Sequence, residues 1–214
     1  MNIDKIKEKL KNKISPFAFN DYVKTAVLLL LAEIDGELHI ILEKRAKNIR
    51  QGGEISFPGG MFDENFDKTF IDTALRETYE EIGIKQENIE ILSELPIFLA
   101  PFGAIINPYV GLTNDMSFKL NSNEVEKLII VPLSFFITNE PAIYNTVIKV
   151  HPSYIDSNGN EVVLFPSKEL DLPKQYHQPW GNVKNKIYLY KFENETIWGL
   201  TAKIIFDFIQ TIKE

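Results

Sequence analysis

The residues from 58 to 84, PGGMFDENFDKTFIDTALRETYEEIGI, constrain this chain more than any other stretch. A Pro58-Gly59-Gly60 turn leads into an acidic loop, and the loop into a segment with helical periodicity. At about 100° per residue, Phe70, Ile71, Ala74, Leu75, Tyr79 and Ile82 fall on one face. The pattern predicts an amphipathic helix with Asp67 as its N-cap and Gly83 as the left-handed residue that closes it. Glu77 and Glu81 are i,i+4 neighbours and Glu80 is i+3 from Glu77, so three carboxylates share one patch at the border of the apolar stripe. Like charges at these spacings destabilise a helix by roughly 0.2–0.5 kcal/mol per pair. A divalent cation would supply the missing counter-charge, and an all-oxygen donor set suits Mg²⁺ or Mn²⁺. Gly59 and Gly60 carry no Cβ, so their backbone can approach a metal or phosphate closely, and a carbonyl of the turn is a further candidate ligand. The charged string alone would also fit a solvated helix face. The glycine turn, the acidic loop and the closing glycine favour the metal.

The stretch just before the turn is basic. Arg45, Lys47 and Arg50 precede Gly52-Gly53, and an arginine can grip phosphate oxygens in a bidentate way. Upstream, residues 23–34 form a nearly continuous apolar run, read as a buried strand. Asp35-Gly36 signals a hairpin turn, and residues 38–42 return as a second strand. Residues 3–14 place Ile3, Ile6, Leu10 and Ile14 at helical spacing. After the acidic helix, residues 89–99 and 105–112 read as strands, followed by residues 142–151, 161–165 and 186–192. Ser157-Asn158-Gly159-Asn160 is a turn. Residues 196–212 have the periodicity of a C-terminal amphipathic helix. Tyr176, His177 and Trp180 are placed in a loop, where they could stack on a base; plain packing is the competing reading.

Composition narrows the function. A net charge of −7 argues against non-specific nucleic-acid binding and against a polybasic membrane contact. It leaves an anionic substrate open, because a bound metal and local arginines reverse the sign locally. With no cysteine there is no disulfide, cysteine-zinc site or thiol nucleophile. The first residues are charged and lack the apolar core of a signal peptide, so a cytoplasmic location is expected. The expectation is one domain over residues 1–214.

Arg76-Glu77-Thr78-Tyr79-Glu80-Glu81-Ile82-Gly83-Ile84 resembles the second half of the Nudix box, G-x5-E-x7-R-E-U-x-E-E-x-G-U with U apolar, here spanning residues 59–84. Thr78 stands at an apolar position. The interval from Gly60 to Arg76 is two residues longer than the family pattern, and no Glu occupies the early acidic place. Asp67 is the expected substitute, with Asp63 and Glu64 as rivals. The lead-in IRQGGEISFPGG is similar to the extra motif of the coenzyme A diphosphatase branch, with Gln51 where a His is common. Pro108-Tyr109-Val110-Gly111, Asn121-x-x-Glu124-Val125 and Val131-Pro132-Leu133 also resemble that branch.

The resemblance implies an α/β/α sandwich with a mixed central sheet, a catalytic loop-helix-loop and terminal helices. It implies Mg²⁺ or Mn²⁺ on Glu77, Glu80 and Glu81, with the Gly60 carbonyl as a further ligand. Arg76 would orient the carboxylates, and Arg50 and Arg45, beside Gly59 and Gly60, would bind the substrate phosphates. Glu77, Glu80 and Glu124 are candidates for the general base, Glu124 also for a further ligand. The implied reaction cleaves coenzyme A or acyl-coenzyme A to 3′,5′-ADP and 4′-phosphopantetheine. Another nucleoside diphosphate derivative such as ADP-ribose, and a non-catalytic nucleotide sensor, are the alternatives. A homodimer is compatible with all of these.

Overall fold

The computed structural model describes residues 21–101 and 103–213. The helix expected over residues 3–14 lies outside the described residues. The chain falls into two compact units, Met1–Thr138 with Asp207–Glu214, and Asn139–Phe206.

The first unit is built around β1 (Val23–Ile34), which is buried on both faces over residues 28–32. Such a continuous apolar run suits a central strand. It turns through Asp35 and Gly36, both at positive φ, into β2 (Glu37–Arg45), as the hairpin signal predicts. β3 (Ile55–Ser56) and β4 (Gly59–Met61) follow, then the helix α1 (Phe70–Ile82). Next come β5 (Ile89–Glu94), β6 (Phe98–Ala100), β7 (Ala104–Thr113), β8 (Val125–Pro132) and a short α2 (Leu133–Thr138). The strand expected over residues 89–99 is thus two, separated at Pro96, which has no N–H to give a ladder.

These strands form one mixed sheet in the order β3-β2-β1-β7-β5, with β4 also on β1, β6 on β7 and β8 on β2. The parallel partner β7 runs along one edge of β1, from Val23↔Ala104 to Ala32↔Thr113. The other edge is divided. Thr25, Ala26 and Val27 pair with Met61, Gly60 and Gly59, whereas Leu30 onward pairs with β2. Ala26, Leu28, Leu30 and Ala32 point to one face, where they pack with Ile41 and with Ala74, Leu75 and Ile82 of α1. Each large side chain buried this way contributes about 1.5–3 kcal/mol, so α1 is held to the sheet through its apolar face.

In the second unit, β9 (Ala142–Val150), β12 (Trp180–Phe192) and β13 (Glu195–Trp198) form an antiparallel sheet, and β10 (Ser153–Ile155) pairs with β11 (Glu161–Val163). The C-terminal helix α3 is Gly199–Lys213, so it starts later than residue 196. Thr196 and Ile197 are β-branched and pair with Lys191 and Tyr190; Gly199, at φ 66°, makes the change from strand to helix. Among the described residues, no helix is long and apolar enough to cross a membrane. The mixed sheet with its helices is the α/β architecture expected from the sequence.

Candidate active site

The ends of α1 set its carboxylates. Its N-cap is Thr69, not Asp67; Asp72 Oδ2 accepts from the Thr69 N–H at 2.8 Å and from its hydroxyl at 2.9 Å. At the other end Gly83 has φ 80° and gives its N–H to the Tyr79 carbonyl at 3.0 Å, as the sequence predicts. The carbonyls of Glu81 and Ile82 accept from Asn121 and Lys119, each at 2.9 Å. The buried stripe differs from the apolar one: Tyr79 is 53% exposed, while Thr73, Thr78 and Glu81 are buried. Thr78 lies i+4 from Ala74 and i−4 from Ile82, in the middle of the stripe, and its hydroxyl is satisfied by the Ala74 carbonyl at 2.6 Å.

Asp67 has a different task from capping. It is buried, and its two oxygens accept from the Asp63 N–H at 3.0 Å, the Thr73 hydroxyl at 2.8 Å, and Arg76 Nε and Nη2 at 2.9 Å each. These bonds, Arg76 first, hold its carboxyl down at about 2. Arg76 Nη1 reaches Glu77 Oε1 at 2.8 Å and Glu80 Oε2 at 3.1 Å. One guanidinium therefore orients two box carboxylates while anchored on a third, buried one. The pair with Asp67 raises the Arg76 pKa further.

Arg45, Gly59, Gly60 and Glu124 meet Arg76, Glu77, Glu80 and Glu81 on the lining of one open cleft of about 890 Å³. Asp63 and Glu64 line it too. Glu124 arrives on a tight turn: the Asn121 carbonyl accepts from the Glu124 and Val125 amides at 2.9 and 2.8 Å, and the Glu124 carbonyl accepts from Ala46 at 2.7 Å. The Asn-x-x-Glu-Val spacing is the chemistry of that turn. Arg50 is not on the cleft lining. Its side chain is exposed, and its carbonyl accepts from Arg45 Nε at 3.3 Å. The loop closes on itself, with Arg45 bonded at both N–H and C=O to Glu54 and Gly53, at 2.9 Å each. A Cβ on Gly52 would come within 2.4 Å of the Lys47 carbonyl. The basic lead-in thus aims Arg45.

Glu43 was not singled out from the sequence. It is fully buried on β2, its Oε1 accepts from the Ser56 hydroxyl at 3.3 Å, and its Oε2 has no hydrogen-bond partner. Glu81 is 3% exposed and accepts from the Gly59 N–H at 2.9 Å. Burial, and then each other's charge in the case of Glu81, lift both carboxyls well above the usual carboxylate range. Burial also raises Glu77, against the pull of Arg76. β2 is buried on both faces from Ile40 to Glu43, so no in-and-out alternation marked this residue; by strand periodicity it shares a face with Ile41 of the core.

Among the described residues, no three Asp, Glu, His or Cys side chains stand close enough to grip an ion as placed. The donor set nevertheless fits a hard divalent cation. It is all oxygen, it includes a buried oxygen without a donor, and Arg76 holds Glu77 and Glu80 in reach of the turn. Glu77 lies so near Gly60 that a Cβ there would stand 2.4 Å from Glu77 Cδ. The two glycines should respond differently to substitution. Gly59 has φ 153°, and its Cβ would meet the Ala26 carbonyl at 2.4 Å, which is backbone. Gly59→Ala is expected to lower stability by more than about 1 kcal/mol, and Gly60→Ala to spare it while displacing Glu77. Thermal melts of both variants check this.

Tyr176 lies in a 3-10 turn and Trp180 opens β12, so the loop placement holds for His177 alone. Trp180 packs against Tyr176 and Phe165, with ring centroids 5.4 and 5.9 Å apart, and the His177 ring bonds the Leu172 carbonyl at 2.9 Å.

Residues 23–134 match the family model described as the NUDIX domain. The peroxisomal coenzyme A diphosphatase ndx-8 of Caenorhabditis elegans is 38% identical over 117 residues, 52% of this chain and 50% of the nematode protein. The match therefore spans about half of that relative's length. The uncharacterized Nudix hydrolase NudL of Photorhabdus laumondii is 28% identical over 200 residues, 92% of this chain and 90% of its own. Among solved structures, a MutT/nudix family protein from Enterococcus faecalis superposes with a TM-score of 0.51 at 15% identity, covering 100% of this chain and 71% of that one. That likeness is one of fold.

Proposed function

The chain belongs to the Nudix family, and from that premise we propose that it hydrolyses the diphosphate bond of coenzyme A or acyl-coenzyme A. The observation that carries the reading is the convergence on one cleft of the α1 carboxylates, the Gly59-Gly60 turn, Glu124 and Arg45. The diphosphatase activity named for the nematode relative, together with the lead-in motif shared with that branch, supports the substrate.

Glu77, Glu80 and Glu81, with the Gly60 carbonyl, would hold Mg²⁺ or Mn²⁺. Such an ion neutralises phosphate oxygens and lowers the pKa of bound water. The chain's own groups do the rest. Arg45 grips the diphosphate as a planar, fixed cation. Arg76 keeps Glu77 and Glu80 oriented. Glu124, which lines the cleft and is not gripped by Arg76, takes the proton of the attacking water. Attack at one phosphorus breaks the P–O–P bond and leaves 3′,5′-ADP and 4′-phosphopantetheine. The reading carries a small-molecule partner with it.

Product analysis tests it. Purified protein with coenzyme A and Mg²⁺ or Mn²⁺ should release 3′,5′-ADP, and EDTA should stop the release. Turnover of ADP-ribose alone would overturn the substrate. Nucleotide binding without metal-dependent turnover of either would overturn the enzyme reading in favour of a sensor.

A further inference from the structure

We propose that Glu43 is an oxygen donor of the divalent-cation site, supplied by the sheet in addition to the α1 carboxylates and the Gly60 carbonyl. The inference rests on the metal-dependent reading above.

Three observations carry it. First, Ile41, Glu43 and Arg45 lie on one face of β2. Ile41 packs in the core with Ala74, Leu75 and Ile82, while Arg45 lines the cleft. Glu43 therefore stands between the core and the cleft floor. Second, its carboxylate lacks the partners that a structural carboxylate collects. Asp67, similarly buried, accepts four bonds at 2.8–3.0 Å. Glu43 has only the 3.3 Å bond from Ser56 and an Arg45 nitrogen at 3.7 Å, and its Oε2 has none. A buried anionic oxygen without a donor is costly unless a ligand completes it. Third, Glu43 faces the box. The same Arg45 Nη1 that lies 3.7 Å from Glu43 Oε1 lies 4.0 Å from Glu81 Oε1.

That shared guanidinium has a consequence. When Arg45 engages a substrate phosphate, the buried Glu43 and Glu81 lose their nearest positive charge together. A hard divalent cation replaces it, and carboxylate oxygens are its preferred donors.

The test uses the full chain and Mn²⁺ itself as the probe, read by electron paramagnetic resonance titration and by thermal melts with and without Mn²⁺. Glu43→Gln keeps the volume and removes the charge. It should weaken Mn²⁺ binding by at least about tenfold, leave the metal-free melting temperature equal or higher, and shrink the rise that Mn²⁺ produces. Glu43→Asp, which retains the charge but withdraws the oxygen, should also bind Mn²⁺ more weakly, and it covers the case of a Gln variant that does not fold. Mn²⁺ affinity equal to wild type in a folded Glu43 variant would overturn the inference and leave the proposed function standing. A wild-type protein that binds no Mn²⁺ would overturn both.

Discussion

Glu81→Gln is expected to abolish metal-dependent hydrolysis while leaving the fold intact. Gln is isosteric and retains an oxygen for the Gly59 N–H, now 2.9 Å from Glu81 Oε2, so the tie between α1 and the glycine turn survives. What disappears is a negative charge buried at the cleft floor, beside Glu43 and Glu77. The loss in kcat should exceed the roughly 10–100-fold that follows when a group behind a metal ligand is removed. Metal-free stability should not fall, because a buried carboxyl crowded by Glu43 and Glu77 has been replaced by a neutral amide. Steady-state kinetics beside circular dichroism decide the matter. Near-normal turnover in a well-folded Glu81→Gln protein would sink the metal assignment.

The largest stability effect is expected from Arg76→Ala. Asp67 would keep only the Asp63 N–H and Thr73 hydroxyl for a carboxylate whose side chain is 1% exposed. Breaking a buried pair from one side costs about 3–5 kcal/mol, and the partial exposure of Arg76 puts this case near 3. For a chain of this size that is a fall in melting temperature of roughly 6–12 °C. The pH dependence follows. The Asp67 carboxyl is held down at about 2, from 3.8, chiefly by the Arg76 hydrogen bonds. A depressed acid contributes stability that is present above pH 3.8 and lost as pH falls through about 2. The wild type should show this acid limb and Arg76→Ala should not. Adding Asp67→Asn to Arg76→Ala should recover part of the loss, since the stranded charge is then gone. An Arg76→Ala protein that melts like the wild type would refute the pairing.

Much of this arrangement was legible in the residues. The 3.6-residue period marks the helix, Gly83 its end and Asp35-Gly36 the hairpin, because each rests on local backbone preferences. The misreadings share a cause, which is tertiary choice. Asp67 resembles a cap by type and place, but a guanidinium nine residues on claims its carboxylate, and Thr69 with Asp72 caps instead. Tyr79 counts as apolar on a wheel, yet the sheet accepts Thr78. Residues 196–198 have helical spacing but also a strand to pair with. The sequence puts Arg50 ahead of Arg45 for phosphate binding, and only the closure of their loop puts Arg45 at the cleft and leaves Arg50 in solvent.

The divided edge of β1 bears on how the site keeps its dimensions. In an assembly of parts, placement errors accumulate when each part is located from the one before it. Here the glycine turn, the hairpin strand that carries Glu43 and Arg45, and the helix that carries the box are each located directly against the same strand. β1 serves as a common datum. Residues 46–54 and 62–69 connect parts that are already located, so they have only to hold single side chains in place: the first aims Arg45, and the second brings Asp67 to Arg76.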